Sequence, residues 1–387
     1  MRWFLAVAIA TLLPCAPTWA SPGVDGPSTV PAIGQESPPA GEDAAICDLT
    51  AFQKMGMEAK ESNPGFKGKR GQHPKTQGGV VATFQVAEGL PDDLKYGIFR
   101  EPKAYRAILR YSNGSSLDDT KPDVHGWAIK LIGVSGARAS AADDERATQD
   151  FVMIDSPFFF ARDVATTLAI ARAQAAARAT PPSLDQLKQI DKDHHQELVL
   201  AGQATTRVLA NPLRVVYWST TPYKLGAGAV KYSAVPRDRE PTLPAGSPAP
   251  GKSKDYLREA MVARLARGRE PVVFDFVVNR QADPAVEPIE DPTVEWKTPP
   301  VKLATITIEP QTFDSPEQLA FTEALSFTPW HALADHRPLG GINRARNPIY
   351  RMSSTFRHDS LKAAGKSPSA PFEPTAADLD TYAHPAP

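Results

Sequence analysis

The sequence predicts an α+β protein built on an antiparallel sheet, and three observations carry that expectation. Two groups of four short β-branched and aromatic runs stand on either side of an alanine-rich stretch. Within the first group the runs follow one another closely. After the second group comes a C-terminal region of mixed character rather than further strands. Such a sheet closes into a barrel with flanking helices or folds into a two-sheet sandwich, and pattern alone leaves both open.

The chain opens with Met1-Arg2-Trp3 and a short apolar run, Phe4 to Leu13, ending in Thr18-Trp19-Ala20-Ser21. An early positive charge, an apolar run and small residues at a cleavage point mark residues 1–20 as a secretory signal peptide. Export is therefore expected, to the periplasm or beyond the cell. The run is too short to span a bilayer stably and no other stretch reaches that length, so no integral membrane segment is expected after cleavage. Cleavage leaves Cys47 as the one cysteine, so no intrachain disulfide is expected. Residues 21–43, rich in Pro, Gly and Ser, read as a flexible leader, 44–365 as the folded domain, and 366–387 as a Pro-rich tail. With 43 basic against 44 acidic residues and no block of like charge, there is no electrostatic footprint for nucleic acid or anionic lipid. Small-molecule chemistry is the expectation.

Taken in order, Ala51 to Ala59 predicts a short helix, and strands follow at Val80 to Val86, Ala104 to Tyr111, Gly126 to Ile132 and Asp150 to Ile154. Val164 to Ala177 is helical by its alanine content, and Leu184 to Leu200 continues with helix formers. Strands return at Leu213 to Trp218, Ala229 to Val235, Val272 to Val278 and Leu303 to Ile308, with an amphipathic helix at Lys254 to Arg267 between them. Adjacent His194 and His195 point in different directions on a helix and read as a solvated face rather than metal ligands.

The chemistry centres on Asn343-Arg344-Ala345-Arg346-Asn347-Pro348-Ile349-Tyr350. In a helix, Arg346 and Tyr350 lie at i and i+4, which sets a guanidinium against a phenol oxygen and favours phenolate. A tyrosinate is one of the few protein oxygen donors used on haem iron. Alone, such a pair is more often a surface cation–aromatic contact. Pro348 inside the segment removes a helical hydrogen bond and predicts a kink unless the helix begins there.

Arg-x-x-x-Tyr followed by Arg357 resembles the proximal pattern of the haem catalases. Further blocks resemble that family in the same order. Arg70-Gly71-Gln72-His73 is similar to its distal Arg-x-x-His segment, and Phe84-Gln85-Val86 to its Phe-Glu-Val. Arg110-Tyr111-Ser112 is similar to Arg-Phe-Ser, His125-Gly126-Trp127-Ala128-Ile129-Lys130 to Arg-Gly-Phe-Ala-Val-Lys, and Asp155-Ser156-Pro157 with Phe159-Phe160 and Arg162-Asp163 to Asn-Thr-Pro-x-Phe-Phe-x-Arg-Asp. The resemblance covers roughly Lys69 to His358. It implies an eight-stranded antiparallel catalase-like barrel with a C-terminal proximal helix, and haem b as cofactor. By the same resemblance, Tyr350 is the iron ligand, Arg346 its partner, His73 the proton shuttle and Ser112 the residue that orients it. Arg70, Arg110 and Arg357 would hold the propionates, Phe160 would pack near the haem face, and Asp155 would stand in the distal pocket.

Three departures stand out. Asp155 replaces the family's asparagine, so an ionised side chain there accepts but does not donate, Pro348 interrupts the proximal motif, and Leu168 stands where another distal phenylalanine is usual. The expected function is a compact haem peroxidase acting on hydrogen peroxide or organic hydroperoxides with an unidentified electron donor. The alternatives are a non-enzymatic haem-binding protein of the same fold and a lipid hydroperoxide isomerase.

Overall fold

The computed structural model describes residues 30–179, 196–240, 243–244, 247–365 and 372–383. The expected signal peptide, the start of the leader, His194 and His195 lie outside them. Among the described residues nine strands form one antiparallel sheet: β1 Lys75–Val86, β2 Ala104–Asn113, β3 His125–Ile132, β4 Thr148–Ile154, β5 Tyr217–Trp218, β6 Tyr223–Leu225, β7 Gly228–Pro236, β8 Val272–Arg280 and β9 Val301–Ile308. Because β5 pairs with both β4 and β7 while β9 returns to β1, eight strands close into a barrel, and β6 hangs on β7 outside the ring. The barrel, not the sandwich, is what forms.

Alternation along the strands fills the lumen. On β8, Val272, Phe274, Phe276 and Val278 are buried while the residues between them are only partly so. Phe276 meets Phe151 at 4.9 Å and Tyr232 at 5.3 Å, and Trp127 meets Phe274 at 4.7 Å between ring centroids. Aromatic edge and offset contacts of this kind make a packed core with no room for a ligand. Any cavity must therefore lie outside the barrel. The place is marked by β3, which is buried at every position and so has both faces covered.

The cover is helical. Helices α1 Glu42–Glu61, α2 Val164–Ala179 and α5 Gly341–Ala363 meet through Leu49, Val164, Leu168, Ile342 and Ala345. Leu168 thus belongs to the packing between these helices. Further helices among the described residues are α3 Tyr256–Arg264, α4 Pro316–Ala324 and the terminal α6 Ala376–Ala383, and residues 196–205 are helical as well. The capping box of Ser315 and Gln318 starts α4. α5 begins at Gly341 and continues through Pro348, so the proline neither starts nor ends it.

Three local expectations differ from the structure. The run Leu213 to Trp218 is not one strand, because Asn211 caps a short turn at Pro212–Arg214 before β5 begins. From Gly34 onward the proline-rich leader is held: Glu36 accepts from the Gly340 amide at 2.8 Å, and Glu36, Glu42 and Glu290 all bind Arg344. Acidic side chains at the first turn of α5 neutralise Arg344 and complement the helix dipole, which a reading of proline content alone misses. The Pro-rich tail likewise carries α6, whose Leu379 and Tyr382 are buried against the barrel. Among the described residues no helix is long and apolar enough to cross a membrane.

Candidate active site

A cavity of about 990 Å³, including its open mouth, lies between the outer face of β2–β4 and helices α1 and α5. His73, Arg70, Arg110, Ser112, Tyr350 and Arg357 all line it, so six expected site residues from three separate stretches of the chain do meet.

The barrel strands place the first group. Arg110 and Ser112 lie two apart on β2 and therefore share its outer face. Opposite them on β3 stand Ala128 and Gly126. A Cβ at position 126 would lie 2.5 Å from His73 Nδ1 and 2.8 Å from Ser112 Oγ, so only glycine leaves room for the imidazole. His73 itself takes a φ of 55°, which is uncommon for a residue with a side chain. Its amide donates to the Gly114 carbonyl at 2.8 Å, and its own carbonyl accepts from Arg110 at 2.9 Å. The surroundings thus hold a strained backbone in place, as functional sites often do.

Ser112 Oγ lies 3.2 Å from His73 Nδ1 and 3.5 Å from the Gly126 carbonyl. With the proton on Nδ1, the order runs from imidazole to hydroxyl to carbonyl and leaves Nε2 as an acceptor. Burial, then the charges of Arg110 and His125, pushes the His73 pKa down to about 3. The ring is neutral at neutral pH.

Beside His73, three guanidiniums converge around Glu323 and Leu325. Arg70 donates to Glu323 Oε2 at 2.6 Å and to the Leu325 carbonyl at 2.6 Å; Arg357, almost fully buried, donates to the Glu323 and Leu325 carbonyls. Arg110 lies 3.7 Å from Glu323 Oε1. Burial and the neighbouring Arg70 lower the Arg110 pKa to about 9, and the same two causes push that of Arg357 well down. Burial works to raise the Glu323 pKa, but Arg70 and Arg110 outweigh it and hold it at about 2. Arg110 Nε is buried without a hydrogen-bond partner. This end of the cavity therefore has donors to spare for anionic oxygens. A flat dicarboxylate such as haem, with a phenol and an imidazole available to it, suits that donor set.

Three expected site residues lie elsewhere. Asp155 is buried with Oδ1 accepting the His125 amide at 2.9 Å and Oδ2 3.1 Å from His125 Nδ1; it does not line the cavity. The cross-strand partner on β3 satisfies both oxygens, so the carboxylate has no reason to turn toward His73. Arg346 donates to Thr221 at 3.0 Å and Asn343 at 3.1 Å, rather than to Tyr350. Phe160 stacks on Phe159 at 4.4 Å, outside the lining. Asn113, part of a formal glycosylation sequon, is fully buried and bonded to Gln77 and Asp119.

The structure also shows residues that sequence reading missed. Glu323 is one, since nothing local announces that α4 carries its carboxylate to Arg70 and Arg110 and its carbonyl to Arg357. A second is the cluster at the cavity wall in which Lys130 Nζ meets Asp150, Glu145 and His331, while His331 Nε2 reaches Asp144 at 2.8 Å. The ammonium stands where a cation among these carboxylates would otherwise sit.

No family model matches the sequence. Among curated proteins, the catalase-related peroxidase of Mycolicibacterium paratuberculosis is 28% identical over 263 residues, covering 66% of this chain and 77% of that protein. Among solved structures, a fungal catalase superposes with a TM-score of 0.59 at 17% identity, over 94% of this chain and 74% of the other. Catalase A from Saccharomyces cerevisiae gives 0.56 at 16% identity, over 94% and 76%. A bacterial catalase gives 0.55 at 18% identity over 85% of this chain, which spans 63% of that catalase's length.

Proposed function

We infer that this chain, a member of the catalase superfamily by fold and by its likeness to a catalase-related peroxidase, is an oxidoreductase that holds haem b in the cavity between His73 and Tyr350. The observation that carries the reading is the meeting of a neutral, hydroxyl-oriented imidazole, a phenol and three arginines in one cavity outside a filled barrel. Tyr350 would ligate the iron, and Arg70, Arg110 and Arg357 would bind the propionates. Bound there, the haem supplies the electrons that cleave a peroxide O–O bond.

The protein's own residues manage the proton. His73 Nε2 accepts it from the oxygen of a bound peroxide and returns it to the departing oxygen as water forms. Ser112, giving its own proton to the Gly126 carbonyl, would accept from Nδ1–H and leave Nε2 free to take the proton. The strained His73 backbone, tied to Gly114 and Arg110, holds the ring against the space that Gly126 leaves. Two departures from the family pattern leave this arrangement standing: α5 continues through Pro348 to Tyr350, and Asp155 is engaged by His125.

The test is peroxide-dependent oxidation of a simple phenol by haem-loaded protein. The reading expects turnover that falls by at least about a hundredfold in His73→Ala. Full haem loading with no turnover, and no further effect of that substitution, supports the carrier. Product analysis with a fatty-acid hydroperoxide separates reduction from isomerisation. Export to the periplasm or medium is part of the proposal.

A further inference from the structure

A cofactor with two carboxylates needs two positive charges, and Arg70, Arg110 and Arg357 bring three. Glu323 removes one of them: its Oε2 accepts from Arg70 at 2.6 Å, its Oε1 lies 3.7 Å from Arg110, and its carbonyl accepts from Arg357. Three guanidiniums less one carboxylate leave two charges, the complement of a dicarboxylate. Lys69 also acts on Glu323, but from a half-exposed position where solvent screens it.

The pairing is incomplete in an informative way. Arg110 Nε and Glu323 Oε1 are both buried without hydrogen-bond partners, although they belong to neighbouring, oppositely charged groups. A carboxylate serving only as a strut for Arg110 would close that gap. Arg110 is instead left able to turn its fork to another anion.

We propose that Glu323 is the resident counter-ion of the arginine triad: it makes three buried guanidiniums tolerable before the dicarboxylate cofactor arrives, then competes with it for Arg70 and Arg110 and so limits how tightly it is held. Two consequences have opposite sign. Without the carboxylate, the unloaded protein carries three uncompensated like charges in one cluster and is less stable. Once loaded, the same protein presents three net charges rather than two to the cofactor's carboxylates and retains it longer. A residue that merely shaped the site would give the same sign in both, since a damaged site would be less stable and also lose its ligand faster.

This inference rests on the haem reading, and the experiment separates the two. Full-length wild type, Glu323→Gln and Glu323→Asp are compared by thermal unfolding without ligand and, after loading with hemin, by transfer of hemin to excess apomyoglobin. The expectation for Glu323→Gln is a lower unloaded midpoint together with hemin loss slowed by about tenfold. Glu323→Asp, which keeps the charge, should return both values toward wild type. Hemin loss that is unchanged or faster in Glu323→Gln overturns the proposal, as does an unloaded midpoint that does not fall. Should wild type take up no hemin at all, the haem reading itself fails and the proposal falls with it.

Discussion

Asp155, just past the end of β4, and His125 on β3 are joined three times: the carboxylate accepts from the His125 amide at 2.9 Å and lies 3.1 Å from its ring Nδ1, and the Asp155 amide donates to the His125 carbonyl at 3.0 Å. Both oxygens of the carboxylate are thereby spent on one residue. Asp155→Asn keeps the shape and one acceptor but loses a charge-assisted bond, so a stability loss of about 1–2 kcal/mol is expected. Urea unfolding measures it. The pH profile of peroxide activation should not change, and a gain in oxygen evolution would show that the residue does reach the cavity.

His73 gives a sharper expectation for pH. Its folded pKa of about 3 lies below the ordinary value of 6.5, with burial as the largest cause and the arginine charges next. Cofactor carboxylates would offset the arginines, but the burial remains. Peroxide activation should therefore lose little between pH 8 and 5, with no limb near the ordinary histidine value. The sign for stability follows from the same shift: the unfolded chain takes up the proton first, so this contribution is fully present above about 6.5 and declines as pH falls toward 3. His73→Gln should flatten that decline in urea titrations at pH 7 and pH 4. If the variant and the wild type lose stability equally over that interval, the histidine is not held neutral.

Gly126 tests the geometry without touching a charge. Gly126→Ala puts a methyl group 2.5 Å from His73 Nδ1, so the imidazole must move. Peroxide turnover should fall by tenfold or more while hemin loading stays complete, because none of the three arginines contacts that carbon. Equal loss of loading and turnover would mean that the wall as a whole has shifted.

Much of this site is legible in the sequence because its parts come in short local motifs. Arg110 and Ser112 share a strand face by alternation, and Tyr350 and Arg357 by helical spacing, so their relation survives without a tertiary model. The rest depends on partners that only the fold supplies. Asp155 looks like a distal residue until β3 delivers His125 to it, and Arg346 looks like the partner of Tyr350 until Thr221 arrives from the end of the barrel. Glu323 carries no local signal at all. Proline content marks the leader and the tail, but Glu36 and Tyr382 bind through long-range contacts that composition does not encode.

Tyr111 offers a prediction on stability alone. Its phenol oxygen is buried inside the barrel with no hydrogen-bond partner, and its ring stacks on Trp127 at 5.4 Å. Tyr111→Phe retains the ring and removes an unsatisfied group, so the protein should be unchanged or more stable by up to about 1 kcal/mol. A loss of more than about 1 kcal/mol in urea unfolding would reveal a partner for the hydroxyl.

The most direct measurement is the absorption spectrum of hemin-loaded wild type beside that of Tyr350→Phe. The account predicts a high-spin ferric spectrum with tyrosinate charge-transfer features in the wild type. In the variant those features should vanish and hemin should be held less firmly, while the fold, followed by circular dichroism, persists. An unchanged spectrum and unchanged hemin affinity in Tyr350→Phe would contradict the account, because the iron would then have another ligand or none from this helix.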